Sequence, residues 1–206
     1  KMAPFVYQVR KDECLDLPAK SYSRRHYRMA EVQYWEYEHS KTHFFEIMDR
    51  YDDWHRDVST IVFRLFSLLQ KVVSGKTWDW QDLFSDPLDN PRVQLLLETI
   101  VDVPKDSKVI IWCKYTHEIE MISQVLAQSG YEATRLYGKL TAKERDQELE
   151  RFKNDAEFLV ANKSCGAFGL NLQFANYAIY YSNDWSWDTR SQSEDRIHRA
   201  GQTRNV

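Results

Sequence analysis

The chain is poor in the residues that break or staple a fold. Its 206 residues include six glycines and five prolines, too few for collagen-like or long low-complexity tracts. Its three cysteines, Cys14, Cys113 and Cys165, are scattered with no C-x-x-C pair. That excludes a zinc ribbon or a disulfide framework from the reading and suits a reducing, intracellular setting. No run of eighteen apolar residues is present, so no membrane span is expected. No charged-then-apolar signal segment opens the chain, and it begins at Lys1 rather than a methionine; a piece of a longer protein is the expectation. Net charge is only −3, so any nucleic-acid contact must come from a local basic patch.

Aromatic residues are plentiful. Seven Trp, twelve Tyr and ten Phe within a 43% hydrophobic, 29% charged chain give a soluble globular protein with a sizeable core and no need of covalent staples. The pattern changes near residue 105. Before it, FVYQV (5–9) and SYSRRHYR (21–28) read as short strands, and helical periodicity runs from Met29 to about Tyr51 and over 57–73. In the second helix Val58, Ile61, Val62, Leu65, Leu68, Leu69 and Val72 share one broad face, with Asp57 as cap and Gly75 as stop. RVQLLLETIV is a further short helix. After residue 105, KVIIWC (108–113), EATRLY (132–137), EFLVAN (157–162) and NYAIYYS (176–182) read as strands alternating with helices, the last helix running through SWDTRSQSEDRIHRA. Thr141 and Glu144 form a capping box for the helix before EFLVAN. Such alternation predicts an α/β fold with a parallel sheet covered by helices on both faces. Ligands bind such sheets off the carboxyl ends of the strands, here the loops after 113, 137, 162 and 182.

Several candidate sites compete. SGKT (74–77) ends like a phosphate-binding loop, but position 70, where the first glycine belongs, is Gln70. A helix rather than a strand precedes it, so a helix end is the reading. His39 and His43 are spaced for zinc, with a solvated helix face as the alternative. SRRHYR is either a basic patch or a charged edge strand. KSCGAFGLNL (163–172) follows a strand and carries Gly166 and Gly169, small enough for close ligand approach. On the final helix, Gln192, Arg196 and Arg199 stand at i, i+4 and i+7, one face of a continuous helix. Two arginines there suit phosphate oxygens; the alternative is a surface helix salt-bridged through Glu194 and Asp195.

At these residues the chain resembles a family. QSEDRIHRAGQ is similar to motif VI of the SWI/SNF-type translocases of helicase superfamily 2, matching every fixed position of Q-x-x-x-R-x-H-R-x-G-Q. KSCGAFGLNL resembles motif V, NDWSW the acidic-tryptophan stretch between them, KVIIWCKYT motif IV, and RLYGKLTAKERDQELERF the glycine segment leading to a helix. VRKDECLDLPAK with MAEVQYWEY resembles the R-K…LP-x-K and Q-x-x-x-Y stretch ahead of the second lobe. Departures are Ala167 and Phe168 in motif V, Trp112 and Cys113 in motif IV, and Trp187 where the family has proline.

The resemblance implies a RecA-like, P-loop-NTPase-type lobe with a helical N-terminal insertion. Residues 1–28 would be an inter-lobe lead-in, 29–88 a helical protrusion, and 89–206 the C-terminal lobe, ending just after motif VI. It implies an ATP hydrolase whose ATP and Mg2+ are bound mainly by an N-terminal RecA-like lobe of the same protein. Arg196 and Arg199 would reach the γ-phosphate, with Gln192, Asp195, Gly166 and Gly169 beside the nucleotide. Lys114, Tyr115, Gly138, Lys139, Lys163, Ser164 and Trp185 would touch the backbone of DNA, double-stranded and without sequence preference. A scaffold that has lost the motor, or a strand-separating helicase of another branch, are the other readings. The setting is the cytoplasm or the nucleus.

Overall fold

A computed structural model describes residues 17–50, 58–163 and 170–206. FVYQV, Asp57 and the stretch Ser164, Cys165, Gly166, Ala167, Phe168 and Gly169 lie outside the described residues. The chain divides into two compact units, Arg24–Val103 and a second made of Lys1–Ser23 with Pro104–Val206.

The first unit is helical. Helices α1 (Glu31–Arg50) and α2 (Val58–Val73) pack on each other. A short 3₁₀ turn, Pro87–Asp89, leads into α3 (Pro91–Val101). Proline at the first position and the Asn90 side chain, accepting from the Arg92 N–H at 3.0 Å, start α3. The end of α2 explains SGKT. Gly75 adopts φ +92°, its N–H donates to the Val72 carbonyl, and the Lys76 N–H donates to the Lys71 carbonyl at 3.0 Å. This is the paired closure of a glycine-terminated helix. Lys76 pairs with Asp82. SGKT is therefore a helix stop, and its lysine is committed to a carboxylate. His39 and His43 stack on each other, with Trp78 5.1 Å from the second ring. No cluster of three metal-ligating side chains occurs among the described residues.

Gln33 does the most buried polar work in this unit. It is fully buried on α1, and its amide donates to the Val72 and Val73 carbonyls, both at 3.0 Å. Those carbonyls belong to the last turn of α2, beyond the reach of the regular helical ladder; Val72 also accepts from the Gly75 N–H.

The second unit holds four strands, β1 (Val109–Cys113), β2 (Ala133–Leu136), β3 (Phe158–Asn162) and β4 (Tyr177–Tyr180), in spatial order β2-β3-β1-β4. Every pairing is parallel, with Ile111 opposite Val160 and Ile179. Strand β1 is buried at all five positions, as a central strand covered on both faces must be. Helices α4 (Thr116–Gln128), α5 (Ala142–Asn154) and α6 (Trp187–Asp195) complete the unit. Ile110, Trp112, Leu136, Leu159 and Ala161 face one side, where Phe152 of α5 and Ile197 join them in a single core. Alternation sends Val109, Ile111 and Val160 to the opposite side. The buried Ile119, Ile122 and Leu126 of α4, which packs on β1, β2 and β3, cover that side. The Thr141–Glu144 capping box is present, with the Thr141 N–H donating to Glu144 at 2.7 Å.

Two expectations are corrected. Residues 21–28 form no strand: 17–30 have no regular structure, because Ser21 bonds the Val206 backbone and Tyr22 bonds a helix side chain instead of a neighbouring strand. The last helix stops at Asp195 rather than running to Ala200.

Gln33→Ala removes the donor to the part-buried Val73 carbonyl and one of the two donors to Val72, and is expected to destabilise the chain by about 1–3 kcal/mol in chemical denaturation. An unchanged unfolding midpoint would contradict the assignment.

Candidate nucleotide and nucleic-acid interface

Because all four strands are parallel, their carboxyl ends meet at one rim. In spatial order the rim carries Gly138 and Lys139 after β2, Lys163 after β3, Lys114 and Tyr115 after β1, and Asn183 to Trp185 after β4. Hydrogen bonds tie these loops together. The Asn162 amide donates to the Lys114 carbonyl at 2.7 Å. The Lys114 N–H donates to Ser182 Oγ at 2.6 Å and to Glu118 Oε2 at 3.1 Å, and the Tyr115 N–H also donates to Glu118. Ser182 in turn donates to Glu118. Glu118 is fully buried, so this one carboxylate holds the start of α4 to the end of β4.

The rim residues differ in accessibility. Gly138 and Lys139 are exposed, and a Cβ built on Gly138 would meet no protein atom within 4 Å. Trp185 is 47% exposed and Trp187 77%. Lys114 is half-buried with its ammonium 5.1 Å from the Tyr115 ring centre. Burial lowers the Lys114 pKa, and Asp184 and Glu118 oppose the shift. Burial pushes the Tyr115 hydroxyl up to about 12. Lys163 points inward: its side chain is 2% exposed, donates to Asn183 Oδ1 at 3.0 Å and lies 3.6 Å from Asp184. Burial lowers its pKa against the pull of Asp184.

The arginines occupy a turn at the end of α6. Arg196 is the C-cap of the helix in αR geometry. Arg199 lies past the helix end, so Gln192 and Arg196 keep their i, i+4 relation and Arg199 does not share that face. Between the two, Ile197 is fully buried in the sheet core. The turn is pinned from several sides. The Leu172 N–H donates to the Arg196 carbonyl at 3.1 Å. His198 Nε2 donates to the Pro18 carbonyl at 2.8 Å. The Gln202 amide donates to the Ala175 carbonyl at 2.8 Å and the Gln173 carbonyl at 2.9 Å. Gly201 provides the left-handed step at φ +96°.

Three arginines near this turn have different commitments. Arg190 is fully engaged: its Nε donates to Glu194 at 2.8 Å and its guanidinium carbon lies 3.2 Å from the Tyr180 ring centre. Glu194 also accepts from Tyr22 at 2.8 Å and Lys20 at 3.2 Å. Burial alone would raise the Glu194 pKa, but those donors hold it below the usual carboxylate range. Arg196 and Arg199, by contrast, are half-buried, and neither side chain has an ion-pair or hydrogen-bond partner among the described residues. The Arg196 Nε is buried without a partner. Glu194 therefore satisfies Arg190 and Lys20, and the salt-bridged alternative for Arg196 and Arg199 does not describe them. Gln192 and Asp195 are exposed on the same helix. Ser164, Gly166 and Gly169 lie outside the described residues. Sequence reasoning missed Gln202, Glu118 and Ser182; the first stood visibly within the G-Q ending of the motif.

A parallel 2-3-1-4 sheet with its loops gathered at one rim and an arginine turn beside it defines a RecA-like helicase lobe. A family model described as "Helicase conserved C-terminal domain" matches residues 91–201, and the chain belongs to that family, in its SWI/SNF type. Helicase swr1 of Schizosaccharomyces pombe is 34% identical over 122 residues, covering 57% of this chain and 9% of that protein. DNA repair and recombination protein RDH54 of Saccharomyces cerevisiae is 32% identical over 127 residues, covering 59% of this chain and 14% of that protein. The chain thus spans about a tenth of the length of these curated relatives. The fold is that of the C-terminal part of the Fun30 ATPase domain, with TM-score 0.72 at 18% identity, covering 93% of this chain and 84% of that one. The Sulfolobus solfataricus SWI2/SNF2 ATPase C-terminal domain gives TM-score 0.61 at 21% identity, covering 74% and 68%.

The difference in commitment predicts a difference in stability. Arg190→Ala loses a charge-assisted bond and a stacked ring and is expected to cost about 1–2 kcal/mol. Arg199→Ala is expected to stay within about 0.5 kcal/mol of the parent, and Arg196→Ala, which removes a buried N–H lacking a partner among the described residues, to cost nothing or to stabilise slightly. Equal losses at all three positions in thermal melts would contradict this.

Proposed function

We propose that this chain is the second motor lobe of a DNA-dependent ATP hydrolase that moves along duplex DNA inside the cell. The observation that carries the reading is the pair of uncommitted arginines, Arg196 and Arg199, on a turn fixed at its flanks. A half-buried guanidinium with an unused buried N–H is costly unless a ligand completes it. The matching ligand is a phosphate oxygen, for which the planar donor fork of arginine is suited.

ATP would be held mainly by the N-terminal RecA-like lobe of the longer protein. Mg2+ bound with it would supply charge neutralisation on the phosphates. On this side, Gln192 and Asp195 would flank the nucleotide beside Arg196, with Gly166 and Gly169 allowing close approach. Arg196 and Arg199 would stabilise charge on the γ-phosphoryl oxygens during transfer to water. Arginines supplied from a second lobe make cleavage conditional on lobe closure, which couples hydrolysis to movement.

The rim would grip the DNA backbone. Lys114, Tyr115, Gly138, Lys139 and Trp185 are accessible for such contacts, which position a motor without reading sequence. Ser164 would join them. Lys163, already paired with Asn183 and Asp184, would act by holding the β4 loop in place. Relatives that are named as helicases or as DNA repair and recombination proteins support the choice of DNA.

In the full-length protein, Arg199→Ala is expected to cut DNA-stimulated ATP turnover by roughly a thousandfold with nucleotide and DNA affinities retained. Turnover within a few-fold of the parent would sink the reading. The isolated chain is expected to hydrolyse ATP negligibly in the same assay.

A further inference from the structure

Residues 17–22 have no regular secondary structure, yet they bond repeatedly to the last dozen or so residues of the chain. The Pro18 carbonyl accepts from His198, and Lys20 Nζ and Tyr22 OH both donate to Glu194. The Val206 N–H donates to the Ala19 carbonyl at 3.2 Å, and the Ser21 N–H donates to the Val206 carbonyl at 2.7 Å. These contacts bracket the arginine turn: Glu194 lies two residues before Arg196, and His198 directly precedes Arg199.

We infer that residues 18–22 form a strap that positions Arg196 and Arg199, with Lys20 and Tyr22 acting through Glu194 and the Pro18 carbonyl acting through His198. The chemistry makes the strap selective. A carboxylate has about four lone-pair sites, and Glu194 receives Arg190, Lys20 and Tyr22. With its acceptor capacity largely used, Glu194 has little left to offer the neighbouring Arg196, which stays available for a ligand. On the other flank, accepting a hydrogen bond at the Pro18 carbonyl fixes the Nε2–H tautomer of His198 and the direction of the backbone entering Arg199. Ile197 anchors the middle of the turn in the core, so the strap supplies the two lateral restraints that a single buried side chain lacks. Positioning matters for transition-state groups: a displacement of about 1 Å costs up to roughly a hundredfold in rate.

The strap rests on the reading of Arg196 and Arg199 given above, and one experiment separates the two ideas. In the full-length protein, Lys20→Ala with Tyr22→Phe is expected to lower DNA-stimulated kcat by about ten- to a hundredfold, with the KM for ATP and the affinity for duplex DNA within twofold. Lys20→Arg, with Tyr22 kept, is expected to retain most of kcat. Single-turnover rates are then measured in an Arg196→Lys background, which keeps residual activity. There the strap changes are expected to cost little more, because they act through the same group. Equal losses in both backgrounds would mean general destabilisation and would overturn the strap. So would an unchanged kcat in the strap variant while Arg199→Ala abolishes turnover, leaving the arginine reading intact. If Arg199→Ala itself leaves turnover unchanged, the arginine reading fails first. Should the double variant fold poorly, Glu194→Gln, which keeps the shape and removes the charge, enters the same cycle with the same criteria.

Discussion

Ile197 is fully buried in the sheet core, while Arg196 before it and Arg199 after it are half-buried at the surface. An apolar side chain of this size is held in place by roughly 1.5–3 kcal/mol of burial, so the backbone between the two arginines has little freedom. Most of the turn's remaining contacts serve that constraint. Leu172 and Gln202 bind it to the segment before β4, and the lead-in binds it from the other side. A continuous helix through residue 200 would have put Arg199 on the face of Arg196. Instead the helix ends at Asp195, and the N–H groups of Ile197 and His198 both turn back to the Glu194 carbonyl.

The electrostatics of the second unit follow a division of labour. Charges that hold the architecture are paired: Arg190 with Glu194, Lys163 with Asp184, and Arg204 with Asp106. Glu118 satisfies backbone donors at the start of α4 while fully buried. Arg196 and Arg199 stand outside this network among the described residues. Lys114 and Lys163 place basic side chains where the strands end; burial lowers their pKa and nearby carboxylates oppose the shift. Such half-buried charge interacts more strongly with an incoming anion than the same charge in bulk water.

Much of this was legible in the sequence for identifiable reasons. The strands at 109–113 and 158–162 were visible as apolar runs because a central parallel strand is buried on both faces. The Thr141–Glu144 box and Gly75 marked helix ends through local chemistry alone, and Gly75 takes positive φ. Two features were not legible because distant partners decide them. SYSRRHYR alternates like a strand, but Ser21 and Tyr22 find partners more than 170 residues away. The end of α6 depends on Ile197 entering a core whose other members come from β1, β2 and β3. The motif positions carried structural roles that the letters did not announce. The glutamine of the upstream Q-x-x-x-Y stretch is Gln33, which closes α2, and the final glutamine of motif VI is Gln202, which closes the arginine turn.

The central claim is that Arg196 and Arg199 bind the γ-phosphoryl group in its transition state rather than the nucleotide in general. The direct measurement compares, on the DNA-bound full-length protein, the affinity for ADP alone with that for ADP plus a metal fluoride that mimics the transferring phosphoryl group. A group that acts in the transition state raises only the second affinity. The account predicts that the parent protein binds the mimic far more tightly than ADP, and that removing Arg199 erases most of this advantage while ADP affinity is unchanged. An advantage that survives without Arg199 would contradict it.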